Sequence, residues 1–170
     1  MRAVLVVIGG LPAAGKTTLS RLAAARLNGV HVRVDTIEQA IVRSGLARQP
    51  LGPVGYVVAY ALAGDHLRQG LTVVAESVNP IAVTRDAWRQ VGAEAGVPVA
   101  EVEVVCSDPA EHRRRVTSRS PDIPGHLLPT WREVVERDYE PWTRDHITVD
   151  TAGQTAEQSL ATLLRALGAR

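Results

Sequence analysis

The sequence feature that most constrains the fold is an apolar run that leads directly into a glycine-rich loop. The run covers Ala3–Ile8, and the loop that follows is Gly9–Thr18, with the sequence GGLPAAGKTT. The second glycine of the loop begins the pattern G-x-x-x-x-G-K-[ST]. In this pattern the backbone N–H groups wrap around an anion just before a helix starts. The sequence therefore predicts a buried strand, an anion-binding loop and a helix, in that order.

The side chains of the loop indicate which anion it binds. Lys16 is expected to reach the β- and γ-phosphates of a nucleotide, and the hydroxyl of Thr17 to complete the shell of a Mg²⁺ ion. Lys16 is the only lysine among the 19 Lys and Arg side chains, which indicates that the larger planar head of arginine does not fit there. The residues expected to contact the nucleotide are Gly10, Leu11, Pro12, Ala13, Ala14, Gly15, Lys16, Thr17 and Thr18.

Composition bounds the kind of protein. The 170 residues include 45% hydrophobic side chains and carry a formal net charge of +1. These values favour one globular domain over residues 1–170, with no general attraction to nucleic acid or to a membrane surface. Cys106 is the only cysteine, so an intrachain disulfide is excluded and a small buried side chain is expected. The first apolar run is too short to span a bilayer, and a cytoplasmic location is expected.

Apolar runs alternate with helical patterns along the whole chain. Strands are expected at about 3–8, 30–34, 71–76, 99–106 and 146–149. Helices are expected at about 17–27, 36–43, 54–69 and 84–95, with three more beginning after Asp108, Thr130 and Thr155, where capping residues stand. Residues 118–129 hold three prolines and a glycine and are expected to form a mobile loop. Strands joined by helical crossovers predict an α/β fold with a mostly parallel sheet covered on both faces.

Carboxylates follow the predicted strands at the edge of the sheet where ligands collect. Asp35 ends the second strand and Glu76 ends the third, while Asp108 and Asp150 follow the fourth and fifth. Polar groups therefore line up along the edge of the sheet where a ligand is expected to bind. Asp35 has a second interpretation, because aspartate often caps a helix that begins at the next residue.

The whole chain resembles the small P-loop kinases of the nucleoside-monophosphate-kinase-like group. Its relatives there are the kinases related to chloramphenicol phosphotransferase, adenylylsulfate kinase and the kinase domain of polynucleotide kinase. The segments that carry the resemblance are GGLPAAGKTT at 9–18, VRVDTIEQAI at 32–41, GYVVAYALAGDHLRQG at 55–70, LTVVAESVN at 71–79, EHRRRVTSR at 111–119 and DYEPW at 138–142. The resemblance implies a three-layer P-loop NTPase fold, with a five-stranded mostly parallel sheet, helices on both faces and a small lid at about 112–130. It also implies ATP- and Mg²⁺-dependent transfer of the γ-phosphoryl group to a small acceptor.

The resemblance also assigns roles to the two carboxylates and their neighbours. Asp35 is expected to accept the proton of the attacking hydroxyl and to orient the acceptor. Relatives carry aspartate at the position of Glu76, so the longer side chain leaves open whether it holds Mg²⁺ through a water or binds the acceptor. Asn79 and Tyr56 are expected on the acceptor side.

The arginines at 113, 114, 115 and 119 resemble the lid of these kinases. Arg115 and Arg119 lie one helical turn apart on the face that carries His112, and they are expected to stack on the adenine and to bind phosphate. Arg119 is also expected to offset charge on the transferring group. A solvated basic face that pairs with Glu111 is the alternative. Arg48 and Arg85 are weaker acceptor-side candidates that are expected at the surface. Aromatic side chains that could form a wall of the acceptor pocket, or simply pack in the core, are Tyr56, Tyr60, Trp131 and Trp142.

The function expected from the sequence is phosphoryl transfer to a hydroxyl of a small molecule, such as a nucleoside, a sugar or a natural-product antibiotic. One alternative is a nucleotide or polynucleotide 5′-hydroxyl kinase, although no basic stripe with interleaved aromatics is present to bind a nucleic acid strand. Another is an ATP-binding regulatory switch without kinase activity. The sequence does not determine whether the protein prefers ATP or GTP, which molecule accepts the phosphoryl group, or whether the protein is a monomer or a homodimer.

Overall fold

The first apolar run becomes the central strand of a parallel sheet. A computed structural model describes residues 3–168. The strands are β1 (Leu5–Gly9), β2 (Val30–Arg33), β3 (Val73–Glu76), β4 (Val99–Val105) and β5 (Ile147–Asp150). The helices within the described range are α1 (Lys16–Arg26), α2 (Val34–Arg43), α3 (Val54–Arg68), α4 (Ala82–Ala95), α5 (Pro109–Ser118), α6 (Trp131–Val135) and α7 (Ala156–Ala166).

The five strands lie in the order β2-β3-β1-β4-β5, and every neighbouring pair is parallel. Ile8 near the end of β1 pairs with Glu76 of β3, and Glu76 pairs in turn with Arg33 of β2. The carboxyl ends of these three strands therefore meet at one edge. The predicted five-stranded parallel sheet of a P-loop NTPase fold is confirmed.

The alternation of side chains along β1 creates two cores. Val6 and Ile8 pack with Leu19 of α1 and Leu163 of α7 on one face. Leu5 and Val7 point to the other face, where they belong to the core formed with α3 and with Trp88 of α4. Successive residues of a strand project to opposite sides, so a fully apolar strand requires helices on both faces. The expected three layers are present.

The helix starts agree with the capping patterns in the sequence. The Asp108 side chain accepts hydrogen bonds from two N–H groups at the start of α5. Thr130 with Glu133, and Thr155 with Gln158, form complete capping boxes before α6 and α7. These side chains pair backbone donors that a helix cannot pair itself. Local pattern alone therefore determines where these helices begin.

The position of Arg85 corrects an expectation. It is 3% exposed rather than a surface residue. Its guanidinium donates to the carbonyl oxygens of Asn79, Pro80, Glu140 and Pro141 at 2.6–3.1 Å. Because four carbonyls converge on one cation, Arg85 fastens the segment 138–142 to the residues that follow β3.

Within residues 3–168, none of the helices has the length and apolar character needed to cross a bilayer.

Two glycines inside helices provide a test of the packing. A Cβ added at Gly92 in α4 would lie 2.1 Å from Cγ2 of Val99, whereas one added at Gly64 in α3 would meet only the flexible end of Arg68, at 3.1 Å. Alanine favours a helix by about 1 kcal/mol over glycine, and overpacking costs about 1–3 kcal/mol. We expect Gly92→Ala to lower the free energy of unfolding, measured in urea, and Gly64→Ala to raise it by up to about 1 kcal/mol.

Because both substitutions are chemically the same, each serves as the control for the other. Equal effects of the two on the urea midpoint would contradict the close approach of α4 to β4.

Candidate functional site

The loop between β1 and α1 depends on backbone conformations that L side chains rarely adopt. Gly10 has φ +144°, and a Cβ there would lie 2.2 Å from the carbonyl oxygen of Val104 in β4. Gly15 has φ +104°, and Ala13 also has a positive φ, of 63°. Only glycine fits at Gly10, because a side chain there would collide with backbone that cannot move away. The pattern in the sequence therefore corresponds to a real steric requirement.

Three carbonyl oxygens of the loop are held by side chains. Lys16 Nζ donates to Leu11 at 2.8 Å, and His112 Nε2 donates to Pro12 at 2.8 Å. The carbonyl of Ala14 accepts from the hydroxyl of Thr151, which follows β5, at 2.7 Å. Donors from α5 and from the end of β5 thus fix the loop from two sides.

The loop opens onto a cleft of about 680 Å³ at the carboxyl edge of the sheet. It is lined by Pro12, Ala13, Gly15, Lys16, Thr17, Thr18, Arg21, Arg33, Asp35, Glu38, Gln49, Glu76, Val78, Arg115, Arg119, Ser120, Asp122, His126, Leu127, Leu128, Pro129, Glu133 and Arg137. The cleft therefore brings together the loop, both predicted carboxylates and both predicted lid arginines. A space of this size holds a small ligand.

Lys16 lies at the base of the cleft and is 8% exposed. Burial lowers the pKa of Lys16 to about 8, although Glu76 and Asp35 act in the opposite direction. An ammonium group in this position lacks full hydration, so it favours any further negative charge that enters the cleft.

Glu76 is 2% exposed and accepts hydrogen bonds at both carboxylate oxygens. Thr17 Oγ1 donates to Oε1 at 2.5 Å, and His31 Nε2 lies 2.7 Å from Oε2. Burial alone would raise the pKa of Glu76, but the bonds from His31 and Thr17 and the charges of Lys16 and Arg33 outweigh burial and hold the pKa below its usual range. Glu76 is therefore an anion directly beside the predicted Mg²⁺ ligand.

This arrangement fits a Mg²⁺ ion. A hydroxyl that donates its proton to a carboxylate keeps its oxygen lone pairs available for a cation. Mg²⁺ prefers few protein ligands and retains several waters. Among the described residues no group of three His, Cys, Asp or Glu side chains could hold a metal by itself. Thr17 and the Glu76 carboxylate are accordingly the groups that would hold Mg²⁺ together with phosphate oxygens and water.

Asp35 lies in the first turn of α2, one residue inside the helix. The helix begins at Val34, two residues earlier than expected, and its N-terminus has no side-chain cap. The interpretation of Asp35 as a capping residue is therefore wrong, because its backbone is already helical. The side chain lines the cleft and lies 3.7 Å from Arg33 Nη2.

The segment between α5 and α6 closes one side of the cleft. Its Asp122 carboxylate is bound by Arg33 at 2.7 Å and by Arg21 of α1 at 2.7 Å. Ile123 beside it is buried. These contacts attach the proline-containing segment to β2 and α1.

The two lid arginines occupy different positions. Arg115 donates to the hydroxyl and the carbonyl of Thr151 at 2.7 and 2.8 Å, and to Glu111 at 2.5 Å. Arg119 follows the end of α5 and lines the cleft. Burial lowers the pKa of Arg119, and the neighbouring positive charge of Arg33 acts in the same direction while Asp35 opposes both. Both arginines line the cleft, but Arg115 is also bound to Thr151 at the end of β5.

Asn79 and Tyr56 are placed away from the lining of the cleft. Asn79 is fully buried, and its backbone N–H donates to the hydroxyl of Tyr56 at 3.1 Å. The other candidate aromatics pack on protein groups instead of the cleft: Tyr60 on Trp88, Trp131 on His112, and Trp142 on His146 and Arg85. None of these residues lines the cleft. Tyr56 nevertheless lies close enough to Asp35 and Glu38 for their charges to add to burial in raising the pKa of its hydroxyl. The places of Tyr56 and Asn79 on the acceptor side stay predictions.

Sequence reasoning missed several residues that line or support the cleft. His31 and Arg33 alternate on β2, so both project to the same face as Glu76. Glu38 lies one turn after Asp35 on α2 and also lines the cleft. Burial raises the pKa of Glu38, and the charge of Asp35 adds to this effect. The alternation of polar residues on β2 was the available signal for His31 and Arg33.

Comparison with solved structures shows the same fold in kinases. A kinase candidate from Chloroflexus aurantiacus superposes with a TM-score of 0.78 at 21% identity, over 99% of this chain and 98% of that one. The APS kinase of Mycobacterium tuberculosis, in complex with AMPPNP and APS, gives 0.72 at 16% identity over 99% of both chains. Kti12 of Chaetomium thermophilum, in complex with ADP-AlF3, gives 0.69 at 22% identity, over 97% of this chain and 98% of that one.

A search of curated proteins found no significant match to the sequence. The resemblance to small P-loop kinases is confirmed at the level of the fold. The model of the family AAA_33, described as an AAA domain, matches residues 5–137, which is more than half of the chain, and the chain therefore belongs to that family.

Proposed function

We propose that this protein is an ATP- and Mg²⁺-dependent phosphotransferase that moves the γ-phosphoryl group to a hydroxyl of a small molecule. The observation that carries the proposal is the single cleft in which Lys16, Thr17, Glu76 and Asp35 lie together. The first three suit the phosphates and their cation, and the fourth suits an attacking hydroxyl.

The nucleotide end of the cleft is formed by the loop. Backbone N–H groups at the start of α1, together with Lys16, bind the phosphates. A smaller cavity of about 230 Å³ lies beside the loop, with Thr18, Arg115, Thr151 and Gln154 in its lining. The lining also includes the apolar side chains of Ala13, Leu19 and Ala156. Apolar side chains together with the planar guanidinium of Arg115 suit a base, so we place the adenine there.

Mg²⁺ supplies charge neutralisation at the β- and γ-phosphate oxygens when it is bound. The Thr17 oxygen and the Glu76 carboxylate would hold the ion, and the hydrogen bond between them keeps the two groups side by side.

Asp35 and Arg119 form the acceptor end. Asp35 accepts the proton of the attacking hydroxyl and aims its oxygen at the γ-phosphorus. Arg119 offsets the charge that develops between donor and acceptor. Glu38 and Gln49 line the same end and are available to bind further polar groups of the acceptor. A nucleoside, a sugar and a hydroxylated antibiotic each present the hydroxyl this arrangement requires.

We expect transfer to depend on Asp35. Purified protein is mixed with MgATP and a panel of nucleosides, sugars and hydroxylated antibiotics, and phosphorylated products are measured by mass spectrometry. Loss of a general base lowers a rate by about 10²–10⁴-fold, so Asp35→Asn should lose transfer to that extent while it still binds ATP. Lys16→Ala should lose ATP binding as well.

The matched control is Asp65→Asn, because Asp65 is an exposed carboxylate on α3 outside the cleft. It should transfer phosphate at the wild-type rate. A wild-type rate in Asp35→Asn would refute the base assignment, and ATP hydrolysis without any phosphorylated compound would favour the regulatory switch.

The depressed pKa of Lys16 makes nucleotide binding depend on pH. With a pKa of about 8, Lys16 is about half deprotonated at pH 8 in the free protein. Bound phosphates favour the charged form, so the pKa must rise on binding and the complex must take up a proton. We expect uptake of about 0.5 proton per MgATP at pH 8 and close to none at pH 6, where Lys16 is already charged.

Calorimetry in buffers of different ionisation enthalpy measures this uptake. Uptake of equal size at pH 6 and pH 8 would show that another group titrates instead of Lys16.

A further inference from the structure

His31 contacts Glu76 at the edge of the site, and the proposed function gives it no role. It lies on β2 two residues before Arg33, and Arg33 pairs with Glu76 across the two strands. Side chains two apart on a strand share a face, as do directly paired residues of neighbouring strands. His31 and Glu76 therefore project to the same side of the sheet, which is the side covered by α1 and Thr17.

The contact between His31 and Glu76 is a directed hydrogen bond. His31 Nε2 lies 2.7 Å from Glu76 Oε2. An ionised carboxylate only accepts hydrogen bonds, so Nε2 carries the proton and donates it. The other oxygen, Oε1, accepts from Thr17. Each oxygen of the carboxylate thus has one donor, and the plane of the carboxylate is fixed by the two together.

Other groups near Glu76 do not replace this bond. Arg33 Nε lies 3.5 Å from Oε1, which is beyond hydrogen-bonding distance, and the Arg33 guanidinium is instead engaged with Asp122 at 2.7 Å. Lys16 Nζ donates to the carbonyl of Leu11. His31 is therefore the hydrogen-bond donor that the structure provides for Oε2.

We propose that His31 is a positioning residue for Mg²⁺, acting through Glu76. The hydrogen bond from His31 fixes Oε2, and the carboxylate then keeps Oε1 as the acceptor of the Thr17 hydroxyl. The oxygen of Thr17 is thereby left with its lone pairs available for the cation. This inference rests on the proposed use of Mg²⁺ with a nucleotide, and it assigns a function to a residue on β2, whereas Thr17 lies on α1 and Glu76 on β3. Partners that orient metal ligands typically change metal affinity by about 10–100-fold when removed.

The test measures how strongly Mg²⁺ improves nucleotide binding. The Kd of ADP is determined by calorimetry in EDTA and again with excess Mg²⁺, and the Mg²⁺ effect is the ratio of the two values. His31→Leu removes the donor, whereas His31→Gln places an amide N–H near the position of Nε2. His31→Asn, with a shorter amide, replaces the leucine variant if that variant does not fold.

We expect His31→Leu to reduce the Mg²⁺ effect by about 10-fold or more, with ADP binding in EDTA changed by less than about 3-fold. His31→Gln should retain most of the effect. The matched control is His146→Leu, because His146 also contacts a carboxylate, that of Glu103 at 3.2 Å, but away from the cleft. It should leave the Mg²⁺ effect unchanged.

The inference is overturned if His31→Leu keeps the wild-type Mg²⁺ effect, or if the leucine and glutamine variants lose it equally. It is also overturned if the wild-type protein binds ADP equally well with and without Mg²⁺, a result that leaves nucleotide binding intact. Wild-type protein that fails to bind ADP under both conditions would refute the proposed function itself.

Discussion

The site depends on two opposite charges, Lys16 and Glu76, that are buried at the same edge of the sheet. Removing an ion from water costs several kcal/mol unless hydrogen bonds and opposite charges compensate. Glu76 is compensated by Thr17 and His31 and by nearby positive charges. Lys16 is compensated only in part, as its lowered pKa shows. The free protein thus holds the incompletely solvated ammonium group of Lys16 at the same edge as the hydrogen-bonded carboxylate of Glu76. This pair suits the binding of phosphate groups together with Mg²⁺.

The fold provides these positions through strand order. Because β1 lies between β3 and β4, the loop after β1 emerges beside the end of β3, and β2 adds its polar residues on the far side of β3. Gly10 packs against the backbone of β4, so the loop cannot shift without losing the contact. Asp122 then joins the proline-containing segment to Arg33 and Arg21. The arrangement connects the phosphate loop, the carboxylates and the covering segment through neighbouring strands.

Local sequence patterns predicted the features that depend on residues close together in the chain. The loop pattern, the alternation of strands and helices and the capping boxes at Thr130 and Thr155 all correspond to observed elements. Contacts between distant residues were not predictable in this way. His31 and Glu76 are 45 positions apart, and Arg33 and Asp122 are 89 apart, so each pair depends on strand register or loop path. Arg85 was misjudged because a single arginine in a helix resembles a surface residue until its four carbonyl partners are known.

The product balance of ATP consumption tests the central claim most directly. Formation of ADP, of inorganic phosphate and of each phosphorylated compound is followed in one reaction with MgATP and the panel of hydroxyl acceptors. The account predicts that one class of acceptor accelerates ADP formation and that ADP and the phosphorylated acceptor form in equal amounts, because the roles proposed for Asp35 and Arg119 require a hydroxyl beside the γ-phosphoryl group. Formation of ADP and inorganic phosphate in equal amounts, at a rate that no acceptor changes, would contradict the account.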